Sequence, residues 1–196
     1  MSKNLQKPLK EKPPTRPPYQ GKYEEMVEVF QKEFAVTKKE DPKPVLTTYG
    51  LGPCIAIVGW SPKHKIGFLT HYDSSTELSS SFGRLLYKIS QQLGSETSKF
   101  DVRIIGGYTN QSEQIIVFLK SRLNINEKIK MGVIEEDILG YHSLKRNVVL
   151  DTRTGETFSY NPKLNPNRRE MTKLEKTLIY SGIKSTARLI YSPEIR

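Results

Sequence analysis

The chain has 196 residues and a mass of 22.5 kDa, enough for one compact domain whose core needs neither disulfides nor a structural metal. A single cysteine excludes an internal disulfide, no Cys/His spacing suits zinc, and the longest apolar run, Cys54 to Trp60, is far too short to span a bilayer. The formal charge of +10 sits at the two ends: residues 1–22 hold six basic side chains and one acidic, residues 163–196 hold eight and three, and the stretch between is neutral with 17 of each. A neutral middle argues against a dedicated nucleic-acid-binding domain. The basic ends read as solubilising tails, with an acidic partner as the alternative. The N-terminus carries charge but no apolar h-region, which speaks against a Sec-type signal peptide. The cytoplasm is the expected location, with delivery into another cell as the variant.

In chain order, residues 1–20 are rich in Pro, Lys and Gln without apolar periodicity and read as a disordered basic tail. Within residues 21–43, Tyr23, Met26, Val27, Phe30 and Phe34 fall at helical spacing, which predicts an amphipathic helix followed by a charged linker, Lys38 to Lys43. A catalytic domain is expected over 44–162. Val45 to Tyr49 is β-branched and precedes a turn, Gly50-Leu51-Gly52-Pro53; Cys54 to Trp60 and Lys65 to His71 read as a β-hairpin closed by Ser61 to His64. Thr76 to Leu93 predicts a helix stopped by Gly94. Phe100 to Ile105 is a strand ending in Gly106-Gly107, and Ser112 to Leu123 a second helix. Ile129 to Ile134, Asn147 to Asp151 and Glu156 to Tyr160 read as strands, the last two joined by a turn ending in Gly155. Residues 163–196 read as a basic C-terminal extension, partly helical over Glu170 to Tyr180. Strands interleaved with helices, several of them hairpin-connected, predict an α+β fold with a mixed sheet.

The hairpin carries the chemistry. With Ser61 to His64 as its loop, Trp60 faces Lys65 and Cys54 lies directly across from His71, so a thiol and an imidazole share one face within hydrogen-bond reach. Such a neighbour lowers a thiol pKa and makes a nucleophile. A lone Cys opening an apolar strand equally fits a small buried hydrophobe, and a lone His a satisfied core residue. Three features favour the site: the Gly-rich turn before Cys54, which can present oxyanion donors; the opposed His71; and Thr48, whose hydroxyl can orient the imidazole.

Thr48-Tyr-Gly50-Leu51-Gly52-Pro-Cys54 followed at the right distance by His71 resembles the CheD family of bacterial chemoreceptor glutamine deamidases. Ile104-Ile105-Gly106-Gly107, Glu136-Asp137-Ile-Leu-Gly140-Tyr141 and Val148 to Glu156 are similar to further segments of that family. The protein N-terminal asparagine amidohydrolases are also similar, through the same Cys–His separation, the Asp73 that follows His71-Tyr72, and a comparable Gly-Gly segment. The resemblance covers about residues 44–160 and departs from the family at Pro53, which has no N–H to offer. It implies a mixed-sheet, β-sandwich-like core flanked by helices, shared with deamidase toxins of the cytotoxic necrotizing type. It also implies a Cys54–His71–Thr48 triad, with Gly52, Asp73, Gly106 and Gly107 around the oxyanion or substrate, and Tyr72, Tyr108 and Tyr141 along the cleft. The implied activity converts glutamine to glutamate in a protein substrate through a thioester, without cofactor or metal. N-terminal asparagine amidohydrolysis and a non-catalytic protein-binding module are the alternatives; a chemoreceptor-like helix is the kind of partner expected. His142 is expected at the surface.

Overall fold

A computed structural model describes residues 15–140 and 144–193 of the chain; the expectations for residues 1–14 and for Tyr141 and His142 lie outside that span. Ten strands and three helices follow in the order β1 Met26–Glu28, β2 Glu33–Lys38, β3 Val45–Leu51, β4 Ile55–Ser61, β5 Ile66–His71, α1 Leu78–Leu93, β6 Ser98–Tyr108, α2 Glu113–Arg122, β7 Ile129–Gly140, β8 Arg146–Asp151, β9 Thr157–Phe158, α3 Lys173–Tyr180 and β10 Arg188–Tyr191. They build two mixed sheets, one of order β1-β3-β8-β9 and one of order β10-β2-β5-β4-β6-β7. The α+β class expected from the sequence is the one observed.

Three apolar layers hold these parts together. Alternation along the strands sends Ile55 and Ile57 of β4 to one face of the larger sheet, where they meet Phe82, Leu85 and Ile89 of α1 and Ile115, Ile116 and Leu119 of α2. The opposite parity, Cys54, Ala56 and Val58, faces Leu46 of β3 and Val148 and Leu150 of β8, so the second layer lies between the two sheets. The far side of the smaller sheet is covered by Tyr19, Met26 and Tyr160.

The segment expected to be a helix over Tyr23 to Phe34 is instead a short 3₁₀ turn followed by β1 and β2. Helical spacing misleads here because every residue from Met26 to Phe30 is buried, and a surface helix buries only one stripe. Met26 faces one apolar layer and Val27 another, and Lys32, at φ 58°, reverses the chain between the strands.

The described parts of the two basic ends, residues 15–22 and 163–193, also belong to the fold. Arg16 donates to Glu135 and, at 3.1 Å, to Asp137, and the Tyr19 N–H bonds Ser159 O at 3.1 Å, so residues 15–20 are seated rather than a free tail. β10 adds a parallel strand to β2, Ala187 joins the helix-side core, and Arg169 and Arg188 each reach the buried Glu33 carboxylate at 2.6 Å. The C-terminal segment is thus an edge of the larger sheet, and two of its cations are spent inside the molecule.

Gly59 of β4 faces Phe68 of β5, and a Cβ at Gly59 would meet the Phe68 ring at 2.2 Å. Phe68 is fully buried against Phe100 and has no room to retreat. We therefore expect Gly59→Ala to lower the urea midpoint, at a cost of about 1–3 kcal/mol from overpacking. A midpoint equal to the wild type would show that the layer under α1 is looser than described.

Candidate active site

β4 and β5 form the expected hairpin in a different register. Ser61 extends β4 and pairs with Ile66, Trp60 pairs with Gly67, and Ile55 bridges Tyr72. The loop is therefore Pro62 to Lys65, closed by the Lys65 N–H on Ser61 O at 2.9 Å with Lys65 at φ 52°. This places Asp73, not His71, across from Cys54. Because the shift is by two residues, side-chain parity is kept: Cys54 and His71 remain on the inter-sheet face as diagonal neighbours, about 7–8 Å apart at the backbone rather than directly opposed. No Cys54–His71 hydrogen bond forms, and His71 Nε2 is buried without a partner among the described residues.

The other ring nitrogen is held across the sandwich. Thr48 points from β3 into the same layer, with its Oγ1 2.8 Å from His71 Nδ1 and 2.7 Å from Val29 O. A hydroxyl has one proton to give. A carbonyl can only accept, so that proton goes to Val29 O and the Thr48 oxygen must receive a hydrogen from Nδ1. The neutral ring therefore carries its proton on Nδ1 and keeps a bare lone pair on the buried Nε2, the protonation state a general base needs.

The turn before Cys54 is pinned through its carbonyls. The Gly107 N–H donates to Gly52 O at 2.9 Å and to Cys54 O at 3.0 Å, and Ser112 Oγ donates to Pro53 O at 2.7 Å. A Cβ on Gly106, at φ 107°, would lie 2.3 Å from Cys54 O, so only glycine lets β6 press this closely on the turn. Gly52 meets the Tyr108 hydroxyl as tightly, and its own N–H bonds Gly50 O at 2.8 Å. Of the glycines expected around the oxyanion or substrate, Gly52 and Gly107 have N–H groups that are already bonded to backbone carbonyls. The Cys54 N–H is the unspent donor here among the described residues. It lies in the same peptide as the tethered Pro53 carbonyl and is turned away from Ser112 by peptide planarity.

A cleft of about 620 Å³ opens over Cys54, lined also by Gln31, Asp73, Tyr108, Gln111 and Lys145. Tyr108 stands where expected; Tyr72 does not, being fully buried in the helix-side core. Asp73 is also buried. It accepts from Thr76 Oγ1 at 2.7 Å, from the Ser75 N–H at 3.0 Å and from Gln31 Nε2. Burial alone would raise its carboxyl, but bonds from Gln31, Thr76 and Ser75 and the nearby Lys32 cation outweigh that and hold it below the usual carboxylate range. Asp73 is therefore an anion at neutral pH. Val29, Gln31 and Ser112 were missed by sequence reasoning, and only Ser112 carried a local signal, as the residue opening a helix.

Burial pushes the Cys54 thiol up to about 12, with the Asp73 charge adding to the rise. Burial pulls His71 down to about 4, against Asp73 and the Val29 carbonyl, which both raise it. The resting pair is a neutral thiol beside a neutral imidazole, opposite to the lowered thiol pKa that the directly opposed register predicted. Among the described residues no cluster of His, Cys, Asp or Glu is placed to hold a metal, and no helix is long and apolar enough to cross a membrane.

The model of the protein N-terminal asparagine amidohydrolase family matches residues 16–139, which include every element of this site from Thr48 to Gly107. The chain belongs to that family. To this amidohydrolase-family chain, an uncharacterised protein of Acanthamoeba polyphaga mimivirus is 27% identical over 145 residues, 64% of the chain and 54% of that protein. A probable chemoreceptor glutamine deamidase of Syntrophus aciditrophicus is 34% identical over 76 residues, covering 32% of the chain and 48% of the relative. Another, of Anaeromyxobacter dehalogenans, is 45% identical over 40 residues, 20% and 24%. The chain spans about half the length, or less, of these curated relatives.

With the thiol raised to about 12, alkylation of Cys54, the sole cysteine, should be slow at neutral pH and keep accelerating with pH beyond 9. A plateau reached below pH 8, read from iodoacetamide labelling rates, would mean a preformed thiolate–imidazolium pair and contradict this electrostatic picture.

Proposed function

We infer that the chain hydrolyses side-chain carboxamides of protein or peptide substrates, with an N-terminal asparagine as the leading substrate. The observation that carries this reading is the buried, unpartnered Nε2 of His71 on the same sheet face as Cys54, in a ring whose other nitrogen is held by Thr48. Cys54 acts as nucleophile, His71 as base and then acid, and Thr48 as the group that fixes the ring.

Because thiol and imidazole are both neutral at rest, proton transfer accompanies attack rather than preceding it. Sγ bonds the carboxamide carbon as its proton passes to Nε2, and the carbonyl oxygen takes up the negative charge beside the Cys54 N–H. The imidazolium so formed is favoured by the Asp73 anion, whose charge raises the affinity of His71 for a proton. It gives that proton to the departing nitrogen, and ammonia leaves with formation of the thioester. Nε2 then takes a proton from water, hydroxide adds to the thioester carbon, and Sγ departs and recovers the proton, leaving a carboxylic acid that ionises by giving its proton to the solvent.

Asp73 also supports the choice of substrate. Across the hairpin from Cys54 and lining the cleft, its negative charge suits the α-ammonium that distinguishes an N-terminal residue from an internal one. Glutamine deamidation within a chain is the second reading, favoured by the likeness to the two probable glutamine deamidases.

Peptides beginning with Asn, the same peptides acetylated at the amino group, and peptides with an internal Gln distinguish the readings by ammonia release and a mass gain of about 1 Da. The leading reading expects turnover of the free Asn peptide alone, reduced about 10²–10⁴-fold in His71→Ala and abolished in Cys54→Ala. Turnover confined to internal Gln would select the second. Unchanged turnover in Cys54→Ala would remove the nucleophile from both.

A further inference from the structure

Scattered apolar side chains are ordinary on a protein surface, but contiguous ones are not. Helix α3 buries Ile179 and leaves Leu174, Leu178 and Tyr180 exposed, with Ile183 just beyond; these four are 58–68% exposed. Leu178, Ile179 and Ile183 form one wall of a trough of about 230 Å³ whose opposite wall is the start of β2. The trough is not isolated. Gln31 lines both it and the cleft over Cys54, and Tyr180, two residues past Leu178, lines that cleft as well.

The polar groups around the trough already have hydrogen-bond partners within the protein. Lys32 Nζ donates to Ile183 O at 2.9 Å, and Arg188 bonds both Glu33 and Glu175 at 2.6 Å. An occupant is therefore asked mainly for apolar surface against Leu178, Ile179 and Ile183. Its volume falls below the roughly 300–1,000 Å³ of sites that enclose a small molecule, so it suits one part of a longer ligand whose other part lies in the cleft.

We propose that the trough receives an apolar side chain of the polypeptide substrate, from the residues following the amide-bearing one, and so sets a sequence preference beyond the reacting residue. This rests on the amide-hydrolase reading for the identity of the ligand, while the geometry of the trough is independent of it. The chain enters over Cys54, passes Gln31 and Tyr180, and lays its second or third residue against Leu178 and Ile183.

The test uses the full chain carrying Cys54→Ala, so that binding is read without turnover, with fluorescein-labelled peptides Asn-Leu-Phe-Gly and Asn-Asp-Asp-Gly and fluorescence anisotropy. The apolar peptide is expected to bind about tenfold more tightly, the scale on which apolar pockets discriminate, and Leu178→Asp with Ile183→Ser is expected to erase the difference. Both side chains are exposed, so the fold is expected to survive, which far-ultraviolet circular dichroism checks. Equal affinities before substitution, or a preference untouched by it, would overturn the proposal. So would a change of association state in the substituted protein by sedimentation, since the face would then be a contact between copies. If the wild type hydrolyses no peptide yet the binding preference holds and is lost on substitution, the enzymatic reading fails and the trough stands.

Discussion

The site depends on how one hydroxyl proton is spent. Thr48 sits in the smaller sheet and His71 in the larger, and their contact at 2.8 Å crosses the layer that joins them. Because the Val29 carbonyl takes the Thr48 proton, the histidine has no choice of tautomer, and its buried Nε2 is left with a bare lone pair. Pairing of β1 with β3, β3 with β8, and β2 with β5 holds Val29, Thr48 and His71 at these positions. The chemistry of a single nitrogen is thus fixed by the packing of two sheets.

Around that contact the molecule buries most of the Cys54 and His71 side chains and places the Asp73 anion near them. Burial alone would make the thiol inert and the ring a weak base. Asp73 offsets part of this only once charge moves, because it disfavours the thiolate but favours the imidazolium. Such an arrangement keeps the lone cysteine protonated at neutral pH and slow to oxidise or alkylate. The glycine pair Gly106-Gly107 and Ser112 complete the turn by fixing three successive carbonyls, which leaves the Cys54 amide hydrogen available.

Much of this was legible in the chain. The apolar stripes of α1 and α2 and the β-branched strands from Val45 onward are local patterns, and the structure keeps them with shifts at their ends. The Thr48–His71 contact was anticipated from the sequence, whereas the direct opposition of Cys54 and His71 was not kept. What failed depended on distant partners. Tyr23 to Phe34 reads as a helix in isolation and becomes a 3₁₀ turn and two strands because β3 and β5 are there to pair with. The hairpin register turned on Lys65 adopting a left-handed conformation, which nothing in Ser61 to Lys65 announces. Residues near 188 form a sheet edge through Glu33, more than 150 positions away in the chain, and no local pattern signals such a pairing.

The most direct test of the account is long-range ¹H–¹⁵N correlation spectroscopy on His71, assigned by comparison with His71→Gln and followed from pH 5 to 8. The account predicts one neutral tautomer throughout, protonated on Nδ1 with Nε2 bare, since burial holds the ring near 4 and Thr48 claims the Nδ1 hydrogen. A ring protonated on Nε2, or an imidazolium at neutral pH, would contradict it.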